Sequence, residues 1–125
     1  MPIKPLDFIE FAESLLSNPL NEAGLRSAIS RSYYGAFLHT QEYVDAKLAP
    51  IAALSDGVGV HEALIRRLRA EKAMKSRSAA YQLTALRTMR VTADYKTLDV
   101  FELGDAEEAI ANSKKLISTI DELMS

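Results

Sequence analysis

Residues 21–48 read NEAGLRSAISRSYYGAFLHTQEYVDAKL, and this stretch decides the fold. Leu25, Ile29, Tyr33, Ala36, Thr40 and Tyr43 recur at steps of three and four, the spacing of one face of an α-helix. Asn21 stands where an N-cap belongs, because its side chain can accept from an otherwise unbonded backbone N–H of the first turn. Pro50 cannot continue a helix and ends the pattern near Leu48. The predicted helix is roughly 25 residues, or about 38 Å at ~1.5 Å per residue. Its reverse side carries Tyr34, Phe37 and Leu38 as well. A helix apolar on most sides, in so short a chain, belongs at the centre of a bundle.

The flanking segments supply its neighbours. Asp7 is the expected cap of a helix bearing Phe8, Ile9, Ala12, Leu15 and Leu16, with Asn18-Pro19 as its stop. After a loop at Ser55–Gly59, Val60 to about Glu71 is helical, with Leu64, Ile65 and Leu68 inward and arginines outward. Lys75–Ser78 reads as a break. Ala79, Leu83, Leu86, Arg90 and Ala93 then form one stripe, followed by a loop over about 96–103. Asp105-Ala106-Glu107-Glu108 has the form of a capping box with Asp105 in the cap, opening a last helix through Leu123. The expectation is all-α: an antiparallel bundle of about five helices, as one domain over residues 1–125.

Composition narrows the chemistry. The 125 residues include no cysteine, so disulfides, thiolate metal sites and cysteine nucleophiles are excluded. Two histidines do not make a histidine-rich metal centre, and neither a metal nor another cofactor is expected. No apolar run approaches the ~18 residues of a membrane span. The N-terminal MPIKPLDFIEF carries Asp7 and Glu10 in its first apolar stretch, unlike a secretory signal. The expected location is the cytoplasm.

The net charge of −2 conceals a cationic block. Residues 66–90 hold eight basic side chains against Glu71 alone, whereas 1–65 and 91–125 carry net charges of −4 and −5. Such a block attracts phosphates locally although the whole molecule is mildly acidic. Within it, Arg87 and Arg90 share a helix face with Asp94. An arginine on the same stripe as Leu83 and Leu86 must be paired, solvated through a cleft, or set at a protein contact. Asp94 is its local partner, either as a helix-stabilising pair or as the carboxylate that orients a phosphate-facing guanidinium. Arg66, Arg67 and Arg69 on the preceding helix are expected to adjoin this face. Tyr33 and Tyr34 read as core residues, and His39 and His61 as packing or capping groups.

The string Arg26-Ser-Ala-Ile-Ser-Arg31-Ser-Tyr33-Tyr34-Gly-Ala-Phe37 resembles the long-helix signature of HEPN-domain proteins (higher eukaryote and prokaryote nucleotide-binding). It is similar in particular to the small stand-alone prokaryotic branch, with its AISRxYYxAF pattern. Leu86-Arg87-Thr-Met-Arg90-Val-Thr-Ala93-Asp94-Tyr95 resembles that branch's LRxxR…ADY segment, and His61 sits in a VHxxL-like context. The resemblance covers roughly residues 20–95. It implies a small helical bundle, commonly a homodimer, often encoded beside a minimal nucleotidyltransferase as a toxin–antitoxin pair. Many such proteins are metal-independent RNases using an arginine, four to six further residues, then a histidine. Counted back from Tyr95, this chain has Ala93 at that histidine position, and seven residues separate Arg31 from His39.

The resulting expectation is a HEPN-like domain that binds a phosphate-bearing ligand, RNA or nucleotide. Arg87 and Arg90 make the directed contacts beside Asp94, and the resemblance adds Tyr95 and Arg31. Robust metal-independent RNA cleavage is not expected. The alternatives are an RNase toxin of the same fold, using Asp94 or a histidine brought across a dimer, and an interaction module that caps a nucleotidyltransferase.

Overall fold

The computed structural model describes residues 3–17 and 21–125. Among these lie six helices and no strand: α1 (Pro5–Leu15), α2 (Glu22–Lys47), α3 (Ala52–Ser55), α4 (Val60–Arg69), α5 (Met74–Tyr95) and α6 (Leu103–Met124). The architecture is an all-α bundle, with α3 a single turn beyond the five expected. No helix among the described residues is long and apolar enough to cross a membrane.

The bundle is arranged around α2, which packs against α1, α4, α5 and α6. All six residues of its expected stripe, from Leu25 to Tyr43, are buried. Two buried hydroxyls of α2 are satisfied within the helix: that of Thr40 donates to the Ala36 carbonyl at 2.7 Å and that of Ser32 to the Ile29 carbonyl at 3.0 Å. Asn21 caps the start, its Oδ1 accepting from Gly24 N–H at 2.7 Å.

Three boundaries differ from the reading of the sequence. In α1 and α6 the expected caps Asp7 and Asp105 lie at the third helical position, and the N-caps are Lys4 and Glu102. Each carboxylate reaches back to the N-cap N–H, Asp7 to Lys4 and Asp105 to Glu102, both at 2.8 Å. An aspartate satisfies a free first-turn N–H from either place, and Pro5, with φ already set, starts α1 ahead of Asp7. The expected stop at Asn18-Pro19 lies outside the described residues. Lys75–Ser78 is not a break but the first turn of α5. Its polarity has a use there. The buried Ser76 hydroxyl donates to the Leu68 carbonyl at 2.8 Å and Arg77 Nε to the Glu71 carbonyl at 3.1 Å, so this turn closes the end of α4.

Among the glycines, the closest approach of a neighbouring helix is at Gly35. A Cβ there would stand 2.8 Å from the Pro5 carbonyl oxygen and 2.9 Å from Ile9 Cδ1, where α1 crosses α2. Gly104 has nothing within 4 Å of the same point. Alanine is favoured over glycine inside a helix by about 1 kcal/mol, but the Gly35 site has no room for it. Gly35→Ala is therefore expected to destabilise by about 1–3 kcal/mol through overpacking, and Gly104→Ala to stabilise by up to ~1 kcal/mol. Thermal melts of both variants check the sign; a Gly35→Ala protein as stable as the parent refutes the close crossing.

Candidate functional site

Arg31, Arg90, Asp94 and Tyr95 meet at the seam between α2 and α5. Arg90 is the hinge of the group, with a side chain only 13% exposed. One of its terminal nitrogens donates to the Tyr34 hydroxyl at 2.8 Å. Its Nε approaches Asp94 Oδ2 at 2.9 Å as an ion pair, though that buried N–H completes no hydrogen bond among the described residues. Asp94 Oδ2 also accepts from the Ser30 hydroxyl at 3.2 Å, and Arg31 reaches Ser30 Oγ at 3.4 Å. The Arg31 and Arg90 guanidinium carbons lie 4.8 and 5.3 Å from the Tyr34 ring centroid, and Arg90 is 5.7 Å from that of Tyr95. Burial works against the Arg90 charge, but Tyr34, Asp94 and Tyr95 outweigh it and hold its pKa above the ordinary value. The two cations repel each other across the shared ring, and Asp94 offsets the charge of Arg90.

Arg87 stands apart from this group. It pairs across the bundle with Glu62 Oε2 at 3.3 Å, and Arg66 takes the other oxygen at 3.3 Å. Of the three α4 arginines expected beside the face, Arg66 thus joins through Glu62. Arg67 does not: it turns away to the Ala49 carbonyl and Glu71, both at 2.8 Å.

Between Arg87 and Arg90 lies a pair that sequence spacing could not bring together. Tyr33, fully buried, is 2.6 Å through its hydroxyl from His61 Nδ1. The imidazole rests 4.4 Å from the Phe37 ring centroid. Burial raises the Tyr33 pKa against the opposing pull of Arg87 and Arg90, and burial followed by those same two arginines lowers that of His61. Both groups are therefore neutral near pH 7. We assign the Tyr33 proton to Nδ1, since no other acceptor is within reach of that hydroxyl among the described residues, which places the imidazole proton on Nε2. His39 is engaged elsewhere, 2.7 Å from Asp121 across α2 and α6.

A latch holds the end of α5 in place. Arg26 donates to the Ala93 and Thr92 carbonyls at 2.9 and 3.4 Å and to that of Asp99, and stacks 5.0 Å above Phe101. Glu22 pairs with Arg26 at 3.1 Å and accepts the Phe101 N–H at 3.0 Å. Arg26 thereby caps the last carbonyls of α5, next to Asp94 and Tyr95.

Compared with protein-family models, with curated proteins and with solved structures, the chain matches none. The described residues contain no group of three or more histidine, aspartate or glutamate side chains placed to hold a metal ion. What the seam offers is a set of guanidinium donors, two tyrosines, and a neutral imidazole. Tyr34, His61, Glu62, Ser30 and Arg26 complete it; the pairs three or four residues apart on one helix, Arg31–Tyr34, Arg26–Glu22 and Arg66–Glu62, had a local signal in the sequence, and the contacts between helices had none.

The depressed pKa of His61 carries a stability consequence. The unfolded chain takes up this proton near pH 6.5, whereas the folded protein takes it up only at lower pH. Stability from this source is therefore complete above pH 6.5 and lost as pH falls below it. His61→Gln is expected to flatten the melting temperature between about pH 7 and 5 relative to the parent. Parallel curves for the two proteins would show that the imidazole is not held neutral.

Proposed function

We propose that the α2–α5 seam binds the phosphate group of RNA or of a nucleotide. The observation that carries this reading is the stacking of Arg31 and Arg90 on Tyr34, with Arg90 oriented by Asp94 and most of the Arg31 donors unengaged among the described residues. A phosphate dianion matches the fork of donors that arginine presents and lysine does not. Arg87 adds a third cation at the edge, and the basic stretch 66–90 draws anions toward it.

The similarity to stand-alone HEPN-domain proteins supports the same reading and extends it to partners. It supports a toxin–antitoxin-type pairing with a minimal nucleotidyltransferase and a homodimer. Tyr95, Leu98 and Val100 are 66%, 95% and 80% exposed beside the seam, an apolar surface suited to an isologous contact. Sedimentation at micromolar concentration tests this, and a clean monomer of about 14 kDa removes the dimer.

A second reading, metal-independent RNA cleavage, has His61 in its favour. Its imidazole is neutral near pH 7 and close enough to Arg87 and Arg90 for both charges to act on it; catalysis as a general base needs the other tautomer, with Nδ1–H donating to the Tyr33 oxygen and Nε2 free. The binding reading expects labelled single-stranded RNA to stay intact in chelator. Cleavage that disappears in both His61→Gln and Arg90→Ala replaces binding with catalysis.

Binding itself is tested at four positions. Arg90→Ala and Arg31→Ala are each expected to weaken RNA or nucleotide binding by about 1–3 kcal/mol, the scale of charge-assisted hydrogen bonds. Arg90→Lys, which keeps the charge and loses the fork, falls in between. Asp94→Asn brings no improvement, because its carboxylate orients Arg90. Lys72→Ala, exposed and outside the seam, acts only through the salt dependence. Melting temperatures lowered by Arg90→Ala with unchanged isotherms would make Arg90 a structural residue and end the proposal.

A further inference from the structure

Beside the seam along α5, an open groove of about 520 Å³ runs between α4 and α5. Arg69, Arg87 and Lys96 give it three cations, and Thr84, Thr88 and Thr92 a row of hydroxyls four residues apart. Its one acid, Glu62, is already shared by Arg66 and Arg87. We propose that this groove is a track for the sugar–phosphate chain of single-stranded RNA, so that the ligand of the seam is a polynucleotide and not a mononucleotide. The inference rests on the phosphate-binding reading of the seam and specifies its ligand.

Four observations carry it. Arg87 belongs to both surfaces: it lines the groove, and its charge acts on Tyr33 and His61 at the seam. At the other end the two surfaces meet through consecutive residues, Tyr95 at the seam and Lys96 in the groove. The Tyr95 ring is 66% exposed, an open stacking platform next to Arg90, and aromatic rings interleaved with cations are what single-stranded nucleic acid binds. Length also fits. Thr84 to Lys96 spans about 18 Å of helix at ~1.5 Å per residue, long enough to follow several nucleotides of an extended strand.

The fourth observation concerns the sugar. Each threonine hydroxyl donates to the carbonyl four residues earlier: Thr84 to Ala80 at 2.8 Å, Thr88 to Thr84 at 3.1 Å, Thr92 to Thr88 at 3.0 Å. With their protons committed to the backbone, these oxygens offer acceptor capacity to the groove. A phosphate does not need acceptors, but a ribose 2′-hydroxyl is a donor, and DNA lacks it.

The experiment measures fluorescence anisotropy with uridine monophosphate as competitor and with labelled hexauridylate, its deoxy counterpart, and an acidic peptide as probes. Hexauridylate is expected to bind at least about tenfold tighter than the mononucleotide, and tighter than the deoxy strand. The double variant Arg69→Ala/Lys96→Ala removes that gain and lowers the salt slope by about 2, roughly one per lost phosphate contact, while mononucleotide binding stays as in the parent. Thr88→Val narrows the preference for RNA over DNA. Both changes are at the surface, and unchanged melting temperatures confirm intact folds. Hexauridylate binding no tighter than the mononucleotide, or unaltered by the double variant, overturns the track. Equal binding of the deoxy strand or the acidic peptide overturns its assignment to RNA. Loss of the seam reading looks different: no probe, mononucleotide included, responds to Arg90→Ala.

Discussion

Arg90 lies in a stripe that otherwise consists of core residues, and the chain has to accommodate its charge without moving it out to water. The solution is a set of partners on two helices. Tyr34 accepts from the guanidinium, Asp94 balances it, Ser30 holds Asp94, and the faces of Tyr34 and Tyr95 lie against it. A buried charge stripped of partners costs several kcal/mol, so the relative placement of α2 and α5 is tied to this one side chain. The same partners keep the guanidinium from turning freely, and a guanidinium with a fixed direction is what recognition of a phosphate requires. Packing and proposed binding thus draw on a single arrangement.

The neighbouring Tyr33–His61 pair follows from the same charge. Burial, with two arginine cations adding to it, keeps the imidazole uncharged, and the tyrosine hydroxyl, itself kept protonated by burial, gives it a partner on one nitrogen. Glu62, adjacent in sequence to His61, ties Arg87 and Arg66 to the start of α4. The first turn of α4 therefore contributes one neutral and one anionic group to a region otherwise dominated by cations. The latch of Arg26 and Glu22 acts at the opposite end, where it terminates α5 and sets the direction of the chain beyond Tyr95. Arg26 thereby gives the Ala93 carbonyl a partner that the helix itself does not supply, while the Thr92 carbonyl also accepts from the Lys96 N–H.

The sequence by itself determined the class of fold and the identity of the central helix. Apolar steps of three and four from Leu25 to Tyr43 admit one helical face, and every residue on it is buried. It also determined that Arg90 and Asp94 would meet, because a separation of four residues on a helix is a local fact. Polar residues at helix ends were less legible. Asp7, Asp105 and the Lys75–Ser78 turn have hydrogen-bonding capacity that serves either a cap or the turn after it, and the choice depends on what the next element offers. Tertiary structure alone decided the rest of the site. Tyr34 and Arg90 are 56 residues apart, Tyr33 and His61 28, and Arg26 and Ala93 67. No periodicity encodes such pairs. They arise because α4 and α5 must both lay their apolar stripes against α2, and once they do, the polar residues bordering those stripes have only one another to bond.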